Sequence, residues 1–370
     1  MGKRPLLLLA AGGTGGHMFP AQALAEEMLL KGWRVTLSTD KRGARFSNNF
    51  PGSVKIEISS SATFGKGSIL SKFTTIFSLI RGISVVLVKM ILDRPDVVVG
   101  FGGYPSVPAM TAAWILSTPR MLHEQNGVLG RVNEFFAARV AKLAYSIEPT
   151  VLPHGARGVH TGNPVRAAVI NQSRSPYKIP GNYQMSLLVF GGSQGARIMS
   201  DVVPQAVSAL SNNLVKNIRV SQQARCADIE RVSSFYEANN IQAEVRPFFS
   251  DLPRRMAESQ LIISRSGASS VADIAAIGRP AILVPLASAI RREQAANAKQ
   301  LVFAGAAIQI DEENFRANTL SKVLEKFFSQ PEQAAEMARK AVTCGQPEAV
   351  SKLVNQVLEI TEGIPNGSSN

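Results

Sequence analysis

Residues 6–17 read LLLLAAGGTGGH. A short apolar run that ends in a glycine-rich loop predicts a buried strand, and the pattern of residues 21–30 predicts the helix that follows. Glycines let a ligand approach the backbone closely, and a helix N-terminus carries a partial positive charge. This arrangement suits a phosphate group, and it favours a phosphate-binding loop over a short signal peptide.

The same opening recurs near the middle of the chain, where residues 187–195 read LLVFGGSQG. A third strand-like run enters a glycine loop at 97–105, which reads VVVGFGGYP. Strand-like and helix-like segments alternate from the first residues, which is typical of parallel βαβ units and of the α/β class. The sequence therefore predicts two similar doubly wound domains, with a join near Asn163-Pro164.

Length and composition agree with two globular domains. The chain has 370 residues, of which 45% are hydrophobic and 18% are charged. Its net charge of +13 predicts an anionic partner; phosphate or a membrane surface fits better than nucleic acid, because no stacking motif or basic arm is present. Cys226 and Cys344 predict neither a disulfide framework nor a thiol metal site, which favours a reducing cytoplasm.

A nicotinamide dehydrogenase is the alternative that the first loop raises. Asp40 ends a predicted second strand, where a ribose-binding acid would lie. However, the first loop does not read G-x-G-x-x-G, because Met18 occupies the place of the third glycine. The sequence therefore disfavours a dinucleotide site.

A spaced series of motifs resembles the MurG family of bacterial transferases. The series comprises GGTGGH at 12–17, GGYPS at 102–106, HEQN at 123–126, GNPVR at 162–166, GGSQGA at 191–196, RSGA at 265–268, and Gln294 with Asn297. The resemblance implies a GT-B fold, in which two Rossmann-like domains face each other across a cleft. It implies that N-acetylglucosamine passes from UDP-N-acetylglucosamine (UDP-GlcNAc) to the 4-hydroxyl of the N-acetylmuramic acid in undecaprenyl-linked lipid I, giving lipid II with inversion.

The family organisation implies four segments. Residues 1–163 would form the N-terminal domain on the acceptor and membrane side, and residues 164–346 the C-terminal domain that binds UDP-GlcNAc. Residues 347–360 would form a helix that packs back on the N-terminal domain, and 361–370 a disordered tail. The resemblance also implies a peripheral position on the cytoplasmic face of the inner membrane, and it leaves room for partners in a cell-wall and division complex.

The resemblance carries a set of substrate-binding positions. They are Thr14, Gly15, Gly16, Asn126, Arg166, Ser193, Phe249, Ala268, Ser269, Ser270, Asp273, Gln294 and Asn297. Arg166 and Ser193 suit a diphosphate as charge and hydroxyl donor, and the amides three residues apart at 294 and 297 would share one helix face. The chain departs from the family pattern at Asp273, where glutamate is usual for ribose contact, and at Arg291-Arg292, which precede the predicted sugar contacts Gln294 and Asn297.

An inverting transfer needs a base that takes the proton of the acceptor hydroxyl. His17 is the candidate, because it follows the first glycine loop and the pKa of histidine lies near working pH; capping or packing its helix is the alternative role. Glu124 is the reserve base, or it supports its neighbours. The chain has no Asp-x-Asp pair of the kind that holds a divalent ion in other transferases, so we expect neither metal nor cofactor.

The segment 69–92 is apolar but interrupted by Lys72, Arg81 and Lys89. Its apolar residues recur at helical spacing, which fits a basic helix that dips into an anionic leaflet. A buried crossover helix with charges at its rim has the same spacing. The lipid acceptor implied by the family favours membrane contact.

Two other classes of function stay open. A nucleotide-sugar epimerase or hydrolase on the same fold would consume UDP-GlcNAc without a lipid acceptor. A non-catalytic sugar-nucleotide or membrane-binding protein would keep the fold and lose nothing catalytic when His17 is replaced.

Overall fold

A computed structural model describes residues 4–59, 69–192, 195–289 and 291–362; in the helix at 69–92, the side chains of residues 69–76 are not described. The chain forms two compact units. Unit 1 comprises residues 1–166 and 348–370, and unit 2 comprises residues 167–347. Unit 1 is therefore built from two separate parts of the chain, whereas unit 2 is continuous.

The described part of unit 1 contains a sheet of seven parallel strands in the order β3-β2-β1-β4-β5-β6-β7. The strands are β1 (Leu6–Ala10), β2 (Arg34–Thr39), β3 (Lys55–Ile58), β4 (Val97–Gly100), β5 (Arg120–Glu124), β6 (Lys142–Tyr145) and β7 (Gly158–His160). The helices are α1 (Gly15–Leu30), α2 (Ile69–Leu92), α3 (Val107–Ile115), α4 (Arg131–Phe136) and, from the end of the chain, α14 (Ala349–Glu362).

Both faces of this sheet are covered, which explains why its strands read as continuous apolar runs. Leu7 and Leu9 pack on one face with α1 and α14, and Leu8 and Ala10 pack on the other with α2. The C-terminal helix buries Leu353, Val354 and Val357 in the core of unit 1. It ends at Glu362, two residues beyond the predicted end, so Thr361 and Glu362 are helical; the rest of the predicted tail, 363–370, lies outside the described residues.

Unit 2 repeats the plan, with six parallel strands in the order β10-β9-β8-β11-β12-β13 among its described residues. The strands are β8 (Met185–Phe190), β9 (Ile218–Gln223), β10 (Gln242–Arg246), β11 (Leu261–Ser264), β12 (Ala281–Leu283) and β13 (Ala307–Gln309). The helices are α5 (Ala167–Ile170), α6 (Arg197–Ser208), α7 (Asn212–Asn217), α8 (Ile229–Ala238), α9 (Leu252–Glu258), α10 (Ala268–Ile277), α11 (Glu293–Phe303), α12 (Ala317–Phe328) and α13 (Pro331–Cys344).

A buried arginine joins three parts of unit 2. Arg279 is 1% exposed, and its guanidinium donates to backbone carbonyls near the end of α9 (Ala257) and at the end of α10 (Ile277 and Gly278). It also donates to the carbonyls of Ser175 and Pro176, which precede β8. Helix C-termini leave carbonyls without intrahelical partners, and one planar guanidinium with five N–H groups supplies donors for several of them.

The predicted α/β class with two doubly wound parallel sheets is confirmed. Each strand-into-glycine opening is present, since β1 leads to α1 and β8 leads to α6. One boundary differs: α1 begins at Gly15 instead of near Ala21, so Pro20 lies inside the helix. Pro20 lies beyond the first turn, so it lacks the backbone N–H that another residue there would donate to the carbonyl four residues earlier. In the described parts of the chain, no helix is both long and apolar enough to cross a membrane.

Candidate active site

Asp40, just after β2, braces the first glycine loop. Its Oδ1 accepts hydrogen bonds from the backbone N–H of Gly13 at 3.0 Å and of Gly43 at 2.8 Å, and its Oδ2 accepts one from Arg42 Nε at 3.0 Å. Burial alone would raise the pKa of Asp40, but these bonds and the charge of Arg42 outweigh it and lower the pKa. The acid that a dehydrogenase would use for ribose is occupied here in holding the loop.

The first and third glycine loops lie against each other. A Cβ on Gly12 would be 2.6 Å from Cβ of Pro105, which is closer than two carbon atoms can approach. Gly13 and Gly103 adopt φ angles of +80° and +72°, a region that favours glycine. Glycine is therefore required at these positions by packing and by backbone conformation, in addition to any ligand.

His17 lies in the first turn of α1, with its ring beside Gly103. Its Nδ1 is 3.1 Å from the carbonyl oxygen of Gly12. Because a carbonyl oxygen can only accept, Nδ1 carries the proton of the neutral ring, and Nε2 keeps its lone pair. Burial lowers the pKa of His17 below the usual 6.5, although the Glu124 carboxylate and the bond to Gly12 act in the opposite direction. The ring is therefore neutral at pH 7.

Glu124, the last residue of β5, is 1% exposed and accepts four hydrogen bonds. Its Oε1 accepts from the backbone N–H and the side-chain Nδ2 of Asn126, each at 3.0 Å. Its Oε2 accepts from the backbone N–H of Gly130 at 2.9 Å and from Asn133 Nδ2 at 2.8 Å. A carboxylate with both oxygens engaged in this way is better suited to positioning Asn126 than to taking a proton from a substrate.

Next to Glu124, His123 is fully buried. Its Nε2 is 3.0 Å from the carbonyl oxygen of Gly162, and its Nδ1 is 3.0 Å from Gln125 Nε2. Burial lowers the pKa of His123 to about 4, so this ring stays neutral and ties β5 to the GNPVR segment.

Several predicted binding residues of unit 1 meet at the carboxyl ends of β1 and β5. The carbonyl of Thr14 accepts from the backbone N–H groups of His17 and Met18, and α1 starts at Gly15 and Gly16. The guanidinium of Arg166 lies 4.1 Å from the centroid of the ring of Phe19, which is a residue of α1. Unit 1 therefore gathers a helix N-terminus, an imidazole, an amide and a guanidinium, which together suit a phosphorylated ligand.

The second glycine loop is held in a similar way by Gln223, the last residue of β9. Its Oε1 accepts from the backbone N–H of Gly191 at 3.1 Å, and its Nε2 donates to the carbonyl of Pro247 at 3.1 Å. A Cβ on Gly191 would lie 2.3 Å from the backbone nitrogen of Ala196, so this glycine is required by close packing. Ser193, the predicted hydroxyl donor, lies outside the described residues.

The other predicted donor contacts of unit 2 follow β10 and β11. Phe249 is 4% exposed, and the guanidinium of Arg255 stacks on its ring at 4.3 Å. As predicted, a helix opens at Ala268; Ser269 and Ser270 lie in its first turn, and Asp273 is buried one turn further on. These residues place a second helix N-terminus at the carboxyl edge of this sheet.

Gln294 and Asn297 lie on α11, on one helix as predicted, but their amides are already partly engaged. Asn297 is 1% exposed and its Nδ2 donates to the carbonyl of Ser266 at 3.1 Å. Gln294 is partly exposed and its Oε1 accepts from the backbone N–H of Leu286 at 3.0 Å. Gln294 is therefore the better placed of the two to meet a sugar, through Nε2.

The residues that hold these loops and Glu124 in place were not predicted from the sequence. They are Asp40, Gln223 and Asn133. A signal was present for Gln223, because a buried strand that ends in a polar residue calls for a partner. In the stretches that the structure describes, no cluster of three or more His, Cys, Asp or Glu side chains could hold a metal ion.

Two protein-family profiles match the chain, one in unit 1 and the other mainly in unit 2. The profile of the glycosyltransferase family 28 N-terminal domain matches residues 7–145, and that of the family 28 C-terminal domain matches residues 186–357. The fold alone does not distinguish a transferase from an epimerase. A putative UDP-N-acetylglucosamine 2-epimerase from Listeria monocytogenes superposes on this chain with a TM-score of 0.70 at 12% identity.

Sequence relatives and a solved structure distinguish the transferase from the epimerase. A UDP-N-acetylglucosamine–N-acetylmuramyl-(pentapeptide) pyrophosphoryl-undecaprenol N-acetylglucosamine transferase from Chelativorans sp. (strain BNC1) is 45% identical, over 98% of this chain and 96% of the relative. A transferase of the same name from Methylobacterium sp. (strain 4-46) is 46% identical, over 96% and 97%. The crystal structure of Acinetobacter baumannii MurG superposes with a TM-score of 0.76 at 26% identity, covering 96% of this chain and 99% of that one. The chain therefore belongs to glycosyltransferase family 28 and, within it, to the MurG family of N-acetylglucosamine transferases with the GT-B fold.

Proposed function

We propose that this chain transfers N-acetylglucosamine from UDP-GlcNAc to the 4-hydroxyl of the N-acetylmuramic acid in lipid I, with inversion, and that Nε2 of His17 is the general base. The membership of the MurG family supports the donor and the acceptor. The hydrogen bond between Nδ1 of His17 and the carbonyl of Gly12 supports the base, because it directs the lone pair to Nε2.

The carboxylate of Glu124 supports this assignment electrostatically. As His17 takes the proton of the attacking hydroxyl, its ring becomes positively charged, and the negative charge of Glu124 favours that form. Glu124 would thus act as a positioning residue that stabilises the imidazolium and orients Asn126, with no proton transfer of its own.

The departing diphosphate needs charge stabilisation that is in place before the bond breaks. In unit 1, Arg166 supplies a guanidinium whose position is fixed by stacking on Phe19. Unit 2, taken by itself, offers the backbone N–H groups at the N-terminus of α10 to a phosphate, and Gln294 on α11 offers its Nε2 to a sugar hydroxyl. Ribose contact would fall to Asp273 and uracil contact to the backbone of Phe249.

The first test is transfer of labelled N-acetylglucosamine from UDP-GlcNAc to a lipid I analogue in excess EDTA. We expect lipid-dependent product, because the sequence has no Asp-x-Asp pair of the kind that holds a divalent ion in other transferases. Reactions without the lipid analogue are the control. Consumption of donor without lipid product would contradict the transferase assignment, and product that disappears with EDTA would show that the reaction needs a metal ion.

We also propose that α2 meets an anionic membrane surface. Four apolar side chains, at spacings of three and eight residues along the helix, form an exposed row that we call the α2 stripe: Phe77 (71% exposed), Ile80 (56%), Val88 (55%) and Ile91 (61%). The adjoining Arg81 is exposed, and nearby on unit 1 the guanidinium of Arg139 lies over the exposed rings of Trp114 and Phe135. Apolar residues next to cations are typical of surfaces that bind anionic lipid.

Replacing Ile80 with aspartate is expected to weaken binding to vesicles of anionic lipid by about ten- to hundredfold, since one buried aliphatic side chain contributes about 1.5–3 kcal/mol. Sedimentation with vesicles measures this binding. Leu30→Asp is the matched control, because Leu30 is 81% exposed at the end of α1, on the opposite face of the sheet. Equal vesicle binding by the Ile80 variant and the wild type would contradict membrane contact by the α2 stripe.

A further inference from the structure

The connection between β12 and α11 is fixed by side chains from three different elements. Residues 284–289, which we call the β12–α11 loop, precede Gln294 and have little regular structure. Even so, each of four consecutive residues, from Val284 to Ala287, has one polar backbone group that bonds to a side chain. These bonds restrain the loop, and functional residues need such a supporting shell to stay in position.

Arg265, directly after β11, provides the first two bonds. Its Nη1 donates to the carbonyls of Val284 and Pro285, each at 3.2 Å. Its Nη2 donates to Oε1 of Glu312 at 2.9 Å. The Arg265 side chain is 9% exposed and that of Glu312 is 25% exposed, so this ion pair is screened much less than a surface pair.

Glu312 passes this restraint on to the loop. Its Oε2 accepts the backbone N–H of Ala287 at 2.7 Å, while Oε1 is held by Arg265. The bond and charge of Arg265 and the bond from Ala287 outweigh the effect of burial and lower the pKa of Glu312, so the carboxylate is ionised at neutral pH. The carboxylate thus connects a buried cation to the middle of the loop.

Leu286, which precedes Ala287, connects the loop to Gln294, the candidate sugar contact. The backbone N–H of Leu286 donates to Oε1 of Gln294 at 3.0 Å. This bond fixes which end of the Gln294 amide faces the loop, so that Nε2 is the end left to meet a ligand. A shift of the loop at Ala287 would also displace Leu286, and with it the orientation of the Gln294 amide.

We propose that Glu312, held by Arg265, is a positioning residue for the nucleotide-sugar donor. It sets the β12–α11 loop and, through Leu286, the orientation of the Gln294 amide. The role rests on the proposed function, in that it assigns the loop to the donor and not to the lipid acceptor. Glu312 lies beyond β13, 15 residues after Asn297, and none of the motifs that resemble the family includes it.

The test compares Glu312→Gln with Glu313→Gln, a neighbouring exposed residue in the same short helix. Loss of one charge-assisted hydrogen bond is expected to raise KM for UDP-GlcNAc about tenfold in the Glu312 variant, with kcat and the KM for the lipid I analogue changed less than about twofold. Glu313→Gln is expected to match the wild type. A merely structural role would lower stability without this selective change in the donor KM.

Hydrogen exchange of the intact enzyme provides a second measurement that does not depend on activity. The backbone N–H of Ala287 is expected to exchange faster in Glu312→Gln than in the wild type, while N–H groups of β12 exchange at unchanged rates. Unchanged exchange at Ala287, or a donor KM equal to that of the wild type, would overturn the positioning role. If the wild type itself shows no saturation with UDP-GlcNAc, the proposed function fails, whereas the exchange measurement still decides whether Glu312 holds the loop.

Discussion

Replacing His17 with alanine is expected to lower kcat for sugar transfer by about 10²–10⁴-fold, the usual contribution of a general base. The imidazole is removed, but the backbone of the first turn of α1 is not changed. Alanine favours the helical conformation, and the bond lost to Gly12 lies within one turn. We therefore expect the binding of UDP-GlcNAc, measured by calorimetry, to stay close to that of the wild type.

The pH dependence identifies the group that is lost. Burial lowers the pKa of His17 below the usual 6.5, so the neutral, proton-accepting ring persists below that pH, and the acid limb of kcat/KM is expected below pH 6.5. This limb is expected to disappear in His17→Ala. His154→Ala, on an exposed loop of the same unit, is the matched control and is expected to keep wild-type rates. A His17→Ala enzyme that retains most of its rate would assign the proton transfer elsewhere.

Replacing Arg279 with methionine is expected to cost on the order of 4 kcal/mol in the stability of unit 2. Five backbone carbonyl oxygens lose a donor, but only the bonds to Ile277 and Gly278 are buried, and each unsatisfied buried group costs about 1–3 kcal/mol. Burial lowers the pKa of Arg279 to about 10, which still leaves it charged at neutral pH. Methionine fills a similar volume, so the loss reports on the hydrogen bonds rather than on a cavity.

Urea unfolding followed by circular dichroism measures this loss. Both tryptophans, Trp33 and Trp114, lie in unit 1, so their fluorescence followed in parallel reports on that unit alone. Arg254→Met is the control, because Arg254 is an exposed arginine whose removal is expected to leave the unfolding midpoint close to that of the wild type. A midpoint for Arg279→Met equal to that of Arg254→Met would show that the buried carbonyls find other partners.

The fold could be predicted because its signals are local. The strand, loop and helix openings at Leu6 and Leu187 each lie within a few residues, and so does the pattern that placed Gln294 and Asn297 on one helix. Helix boundaries were less certain, since the glycines and Pro20 at the start of α1 concealed that the helix begins at Gly15.

The contacts that hold the site could not be predicted, because they join residues that are far apart in the sequence. Arg279 reaches Ser175, 104 positions away, and Arg265 reaches Glu312, 47 positions away. Nothing in the local pattern of either pair indicates its partner. The sequence pattern predicted the position of Asp40 at the end of a strand. Its role in holding the first glycine loop follows only from its hydrogen bonds.

The helix α14 has a consequence for how this chain acquires its structure during translation. Unit 2 is continuous and is complete once Pro347 has left the ribosome, whereas unit 1 lacks Leu353, Val354 and Val357 from its core until the final helix emerges. Unit 1, most of which is synthesised first, therefore completes its fold last. In the interval, one face of its sheet, around Leu7 and Leu9, is left partly uncovered, and a nascent chain in that state is open to chaperones and to aggregation.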